Sequence, residues 1–239
     1  MRLDVALVER GLVETRARAA ALILAGQVLV NGQKVEKAGA AVRGGDAIAL
    51  LARDKYVSRG GVKLEGALAD LGVRVEGRIC ADVGSSTGGF TDCLLQHGAA
   101  RVYAIDVSPE QMDWKLRQDA RVKQIECNAR NLNEAALPEP AEVVTIDLSF
   151  ISTAKVLGAV AAIAGTGAEF LILVKPQFEL ERGDVGSGGI VGDAALHQRA
   201  IERVEAAARE CGLEVLGCVP SRLTGAEGNQ EFFLHARKV

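Results

Sequence analysis

The segment "ADVGSSTGGFTD", residues 81–92, decides the fold. An apolar run ends at Asp82 and Val83, a glycine-rich turn follows through Gly84, Ser85, Ser86, Thr87, Gly88 and Gly89, and a helical pattern begins. Strand, turn and helix in that order form the first unit of an open α/β sheet, whose ligands bind beyond the carboxyl ends of the strands. The turn also sorts the ligands. A dinucleotide fingerprint needs G-x-G-x-x-G, and Ser86 stands where its second glycine belongs. A phosphate-binding P-loop needs Gly-Lys-Ser/Thr, and this chain has Gly89-Phe90-Thr91. Asp82, just before the turn, offers an acceptor suited to an amine. Asp106 closes the next apolar run, about 20 residues on, where an acid binds ribose hydroxyls. An adenosine ligand carrying an amino acid instead of phosphates satisfies both; a purely structural turn is the other reading.

Outward from the turn the chain alternates as a parallel sheet requires. Strands are expected at 78–83, 101–106, 122–126, 142–147 and 169–175, with helices near 91–97, 110–119 and 152–163 between them. A helix over 63–72 precedes this series. A long one over 193–211 follows, with Asp193 as its cap and Gly212 as its stop. The chain then closes with two strands, "LEVLGCVPSRL" and "NQEFFLHARK", joined by "TGAEG". Two consecutive closing strands, the last antiparallel, are unlike a plain dinucleotide fold and suit a Rossmann-like methyltransferase sheet, mostly parallel.

Residues 1–50 read as a separate α+β module. "RLDVALVERGL" and "TRARAAALILAGQ" carry apolar residues at helical spacing, the second with Thr15 as N-cap and Gly26 after its end. "QVLVNGQKVEK" alternates around Asn31-Gly32, a hairpin signal, and "DAIAL" adds a strand. Residues 51–62 read as a linker, dividing a domain over 1–58 from a second over 59–239. Residues 1–60 hold ten Lys/Arg against six Asp/Glu, while the whole chain carries a net charge of −3. A basic small end on an acidic body points that end toward a polyanion.

The remaining composition excludes several classes. Nearly half the residues are apolar (49%), enough for a packed core, yet the best apolar run, "FLILV" at 170–174, falls far short of a membrane span of roughly 18 residues. The five cysteines, at 80, 93, 127, 211 and 218, form no CxxC pair and have no histidine beside them, so neither a metal site nor a disulfide framework is expected. Reduced thiols and the acidic, unhydrophobic N-terminus indicate a cytoplasmic protein.

Two side chains mark the working rim. Asp147 closes "VVTID" and Lys175 closes "FLILVK", so both emerge beside the glycine turn. They form either a plain ion pair or a positioned pair acting on a hydroxyl, with the lysine as base when neutral or as stabiliser of a developing alkoxide when charged. The sequence leaves that protonation state open.

Taken in order, "YVSRGGVKLEGAL", "DVGSSTGGFTD", "DWKLRQD", "DLSFIS", "KPQFE", "VGSGGIVGD" and "GAEGNQEFFLH" resemble the blocks of the TlyA family, named haemolysins but containing ribosomal-RNA ribose 2′-O-methyltransferases. The catalytic part is similar to the wider FtsJ (RrmJ) class, and residues 1–50 resemble the αL RNA-binding motif of a small-subunit ribosomal protein. The resemblance implies a Lys-Asp-Lys-Glu tetrad at Lys63, Asp147, Lys175 and Glu231, with Lys175 central. It implies S-adenosylmethionine at Asp82, Gly84, Ser85, Ser86, Thr87, Gly88, Gly89, Asp106 and Asn128. It further implies contacts to RNA phosphates from Arg16, Arg18 and Lys34, with Arg59 at the junction, and a glycine-rich lid over 183–193. The implied partner is ribosomal RNA or a ribosomal subunit, with no metal and no membrane, as a monomer or a dimer. An RNA-binding protein with a non-catalytic methyltransferase fold is the alternative reading, and a membrane-lytic haemolysin a third.

Overall fold

The computed structural model describes residues 1–51, 55–181 and 183–239, which fall into two compact units, 1–54 and 55–239. The expected linker lies partly on residues 52–54, outside the described residues.

In the first unit, helices α1 (Leu3–Glu9) and α2 (Arg16–Leu24) pack on a three-stranded antiparallel sheet of β1 (Val28–Val30), β2 (Gln33–Lys34) and β3 (Ile48–Leu50), in the order β2-β1-β3. The Thr15 side chain accepts from the Arg18 N–H at 3.2 Å, capping α2 as its position demands. Asn31 and Gly32 both take positive φ, 52° and 79°, the backbone of a tight hairpin turn. Leu3, Ala6, Leu7, Ala19, Ile23, Val28 and Val42 fill the core.

The second unit is a seven-stranded sheet covered on both faces. After α3 (Arg59–Leu71) come β4 (Ile79–Val83), α4 (Gly89–Gln96), β5 (Arg101–Asp106), α5 (Trp114–Gln118), β6 (Val122–Glu126), β7 (Ala141–Ile146), α6 (Leu157–Ala162) and β8 (Ala164–Val174). The short α7 (Pro176–Glu179), the long α8 (Ala194–Glu210), β9 (Leu213–Pro220) and β10 (Phe232–Lys238) complete it. The order is β6-β5-β4-β7-β8-β10-β9, and only β10 runs antiparallel to its neighbours, as expected of the last strand.

Alternate residues along the strands enter opposite layers. Ala81, Val83, Ile105, Val144, Phe170 and Ile172 pack with Leu157, Val160 and Val204 from α6 and α8. Cys80, Val102, Ala104, Leu171 and Leu173 pack with Leu64, Leu68 and Leu94 from α3 and α4. Burial on both faces explains why these strands read as continuous apolar runs.

Three helices depart most from expectation, and β8 begins at Ala164 where a strand is expected from 169. The helix expected from 63 begins at Arg59, taking the glycine pair Gly60-Gly61 out of the linker. A Cβ on Gly61 would lie 2.3 Å from the Tyr56 ring, so this glycine serves close packing. The helix expected over 110–119 is a 3-10 turn at Pro109–Gln111 followed by α5, which Asp113 caps by accepting from the Lys115 N–H. The helix expected over 152–163 likewise divides into a 3-10 turn at Thr153–Lys155 and α6.

Candidate active site

The glycine turn is tight because the chain crowds it from behind. A Cβ on Gly84 would stand 2.2 Å from the Asp147 carbonyl oxygen, so the end of β7 touches the turn only because residue 84 has no side chain. A Cβ on Gly89 would meet Ser58 Oγ at 2.1 Å and the Gly61 nitrogen at 3.0 Å, which admits the start of α3. One on Gly88 would meet Leu116 Cδ1 at 2.3 Å. Two structural neighbours, Asp147 and the helix bearing Lys63, are thus drawn against the turn.

Asp82 stands behind the turn and not on its ligand side. It is fully buried, accepting from Thr91 Oγ at 2.7 Å and Thr145 Oγ at 3.1 Å, and it lines neither cavity at the turn. Burial pushes its carboxyl up to about 7; the two threonine hydroxyls oppose that rise and the charge of Asp147 adds to it. Its position couples α4 to β7. In a run buried on both faces, the sequence does not say toward which side an acid points.

Two cavities open at the strand ends. The larger, about 460 Å³, is lined by Gly84, Ser86, Asp106, Gln111, Asn128 and Asp147, among others. Asp106 is held there by the Ser86 N–H (2.8 Å) and the Ser108 N–H (3.0 Å), one on each carboxylate oxygen. Asn128 accepts from the Arg130 N–H at 3.0 Å, leaving its amide N–H₂ as a donor. A volume in the range of small-molecule sites, a fixed carboxylate and an amide suit a nucleoside. Among the lining residues Arg130 is the sole cation, so nothing there gathers around phosphates. The smaller cavity, about 140 Å³, is lined by Ser58, Lys63, Ser85, Thr87, Gly89 and Asp147, and shares Gly84, Ser86 and Asp147 with the larger one. Asp147 is the wall between them.

Asp147 belongs to one of two lysine–acid pairs at this end of the sheet. Lys175 Nζ lies 2.5 Å from Asp147 Oδ1 and donates to Ser149 Oγ at 3.0 Å. Asp147 Oδ1 is buried and accepts no directed hydrogen bond, so Lys175 meets it as a charge, not as an aligned donor. Lys63 Nζ donates to Glu231 Oε2 at 2.5 Å, and both side chains are at most one-tenth exposed. The strand register supplies the remaining link. Phe232 on β10 pairs with Val174 on β8, so the next positions out, Glu231 and Lys175, face each other across the two strands. Lys63, Asp147, Lys175 and Glu231 therefore share one rim. Charges removed from water at this cost persist when each has its opposite close by.

In the first unit Arg16 Nη2 lies 3.0 Å from Asp4, as part of a cluster with Arg2. The two guanidiniums, Arg2 first and then Arg16, hold the Asp4 carboxyl well below the usual carboxylate range. Arg18 is exposed with no side-chain partner among the described residues, and Lys34 sits 3.8 Å from Glu36. Arg59 donates to the Thr224 carbonyl at 3.0 Å within the second unit.

Several residues of the site escaped the sequence reading. Phe150 is 92% exposed and takes a positive φ of 64°, rare for an aromatic residue, while its ring lies 5.4 Å from that of Phe178. The signal available was its place three residues after Asp147, in a segment no helix or strand claims. Asn229 is buried; its Oδ1 accepts from the Val191 N–H (2.9 Å) and its Nδ2 donates to the Gly189 carbonyl (2.8 Å). It ties the end of the expected glycine-rich lid to the segment entering Glu231.

Residues 56–238 match the FtsJ-like methyltransferase family and residues 1–48 match the S4 domain. The chain belongs to the FtsJ-like methyltransferase family. It is 44% identical to the 16S/23S rRNA (cytidine-2′-O)-methyltransferase TlyA of Mycobacterium tuberculosis, over 99% of this chain and 89% of that one. It is 42% identical to Hemolysin A of Brachyspira hyodysenteriae, over 98% and 99%. A solved structure of a hemolysin candidate from Streptococcus thermophilus aligns with a TM-score of 0.77 at 41% identity, covering 100% of this chain and 88% of that one.

Two outcomes follow from the packing of the turn. Gly84→Ala should destabilise the protein by about 1–3 kcal/mol, the range for overpacking, in chemical unfolding; an unchanged midpoint would mean that Asp147 does not pin the turn. For Asp82, the native state keeps a proton between about pH 4 and pH 7 that the unfolded chain has released, so stability falls as pH rises through that window. Asp82→Asn carries no such proton. The wild type's melting temperature, taken relative to the variant's, should therefore decline from pH 4 to pH 7 and level off above it.

Proposed function

We propose that the protein transfers a methyl group from S-adenosylmethionine to a ribose 2′-hydroxyl of ribosomal RNA, with cytidine as the modified nucleoside. One observation carries this reading: Lys175 pairs with Asp147, the shared wall of a nucleoside-sized cavity and a smaller one beside it, and Lys63, paired with Glu231, lines that smaller cavity. The 44% identity to a curated rRNA (cytidine-2′-O)-methyltransferase over nearly the whole chain supports the substrate class.

The larger cavity fits S-adenosylmethionine by its donors and acceptors. Asp106 would take the ribose hydroxyls, Asn128 the base, and Gly84 and Ser86 the turn side. When bound, that cofactor supplies a methyl group made electrophilic by its sulfonium. The chain's own work is to present the nucleophile. Lys175 Nζ, fixed by Asp147 and Ser149, holds the incoming 2′-oxygen and meets the negative charge that develops as its proton passes to solvent water. In the transfer the 2′-oxygen would bond to the methyl carbon as the sulfur–carbon bond breaks, which would leave a neutral thioether. The Lys63–Glu231 pair fixes the opposite side of the smaller cavity. Holding the two reactants in line is worth several kcal/mol, up to roughly 7–11 in well-oriented systems.

The exposed face of Phe150, at the mouth of the larger cavity, offers a stacking surface for an unpaired base. The S4 domain, with exposed Arg16, Arg18 and Lys34, would contact the phosphate backbone and select the RNA by shape. A ribosomal substrate makes the cytoplasm the place of action. Among the described residues no helix is long and apolar enough to cross a membrane, and no group of three or more potential metal ligands occurs.

The test uses tritiated S-adenosylmethionine with the purified protein and separated small and large ribosomal subunits. Label should enter the RNA of at least one subunit, and Lys175→Ala should reduce that transfer by about a hundredfold or more, the range for removing an electrostatic stabiliser. S-adenosylmethionine binding without transfer to either subunit or to naked rRNA would favour a non-catalytic RNA-binding role.

A further inference from the structure

A third cavity, about 600 Å³, lies beyond Phe150 from the nucleoside cavity, and the two share Arg130, Phe150 and Ile151 on their rims. Its walls carry three cations from three separate parts of the chain. Arg130 follows β6, Lys155 stands in the turn before α6, and Arg203 lies on α8. None of the three makes a side-chain ion pair or hydrogen bond among the described residues. By contrast Arg78, Arg101, Arg121, Arg199, Arg209 and Arg222 of the same unit are each paired with a carboxylate. Converging cations left unpaired are what a phosphate chain requires.

The acids nearby offset them only in part: the charge of Arg203 acts on Glu179 without a direct contact. Glu179 is buried and already accepts from Ser152 Oγ and the Thr153 N–H, both at 2.6 Å, while Glu181 is exposed at the margin. Gln177 adds a different signal. It lines the cavity, and its Oε1 is buried with no hydrogen-bond partner, an acceptor waiting for an O–H or N–H. Cations for phosphates, an unpaired acceptor for a hydroxyl or amino group and the rings of Phe150 and Phe178 on the rim together describe a nucleotide rather than a bare anion. Phe178 also links the cavity to the chemistry, since its ring centroid lies 5.9 Å from Lys175 Nζ.

We propose that this cavity is the subsite for the nucleotide flanking the target on the same RNA strand, with Arg130, Lys155 and Arg203 holding its phosphates and Gln177 reading a donor on its sugar or base. The proposal rests on the reading of the protein as an RNA methyltransferase. On it, the strand turns at Phe150: the target ribose enters between Lys175 and the cofactor cavity while its neighbour occupies the space between α7 and α8.

The experiment measures two things on the full-length protein: binding of purified rRNA at several salt concentrations, and steady-state methylation of ribosomal subunits. The variants are Arg203→Ala and Lys155→Ala, with Arg203→Lys as partial rescue. Arg209→Ala, on the same helix but paired with Glu205 and outside the cavity lining, serves as control. Each cavity variant should weaken rRNA binding about 3- to 10-fold and flatten its salt dependence by about 0.7–0.9 of a log unit per log unit of salt. KM for the subunit should rise in step while kcat and S-adenosylmethionine binding stay within about twofold. Arg203→Lys should recover most of the binding. The proposal is overturned if both alanine variants bind rRNA with wild-type affinity and salt slope, or if Arg209→Ala loses as much as they do. Failure of the parent reading looks different: the wild type would bind rRNA with the expected salt slope yet transfer no label. Absence of rRNA binding by the wild type would end both.

Discussion

The contact between the Asp147 carbonyl and Gly84 is the constraint on which the site depends. It presses the end of β7 against the turn after β4, and only a residue without a side chain permits it. From that position the Asp147 side chain forms the wall between two cavities and fixes Lys175 from the neighbouring strand. The same turn, through Gly89, lets α3 approach with Lys63. The glycines that seemed meant for a ligand are thus needed first by the protein itself, and the ligand space is what remains once the chain has closed around the turn.

Electrostatics then explains why the acids and lysines of this rim come in pairs beside a largely apolar sheet. Moving a single lysine or carboxylate out of water costs several kcal/mol, and losing one member of a buried pair leaves the other uncompensated. Pairing Lys63 with Glu231 and Lys175 with Asp147 meets that condition, and it keeps Lys63 and Asp147 in the wall of the smaller cavity. Asp82 follows the other route. Held by two threonine hydroxyls and no cation, it lies where burial favours the neutral acid. Asp82 and Asp147, both beside the turn in space, therefore have opposite roles, one bracing the packing and one facing the cavities.

Much of this was legible in the residues. Asp147 and Lys175 stand out because each ends a continuous apolar run, and a strand buried on both faces must release its polar terminus at the rim. The seven-stranded sheet with its antiparallel last strand follows from the alternation of runs and the closing strand pair. Lys63 and Glu231 are different: 168 positions apart, one on a helix and one before a strand, they meet only because α3 packs on the sheet face beside Phe233. No local pattern encodes that meeting, and only the family resemblance pointed to it. The side to which Asp82 turns and the conformation of Phe150 were hidden for a related reason, since each is set by neighbours distant in the chain.

The central claim, that this rim acts on a ribose hydroxyl, is tested most directly by the chemical position of the methyl group. Alkaline hydrolysis of RNA requires a free 2′-hydroxyl beside the phosphate that is cut. rRNA labelled by the protein with tritiated S-adenosylmethionine should, after complete alkaline hydrolysis, retain its label in a resistant dinucleotide with a cytidine on the 5′ side. Label released entirely as mononucleotides would place the methyl on a base and contradict the account.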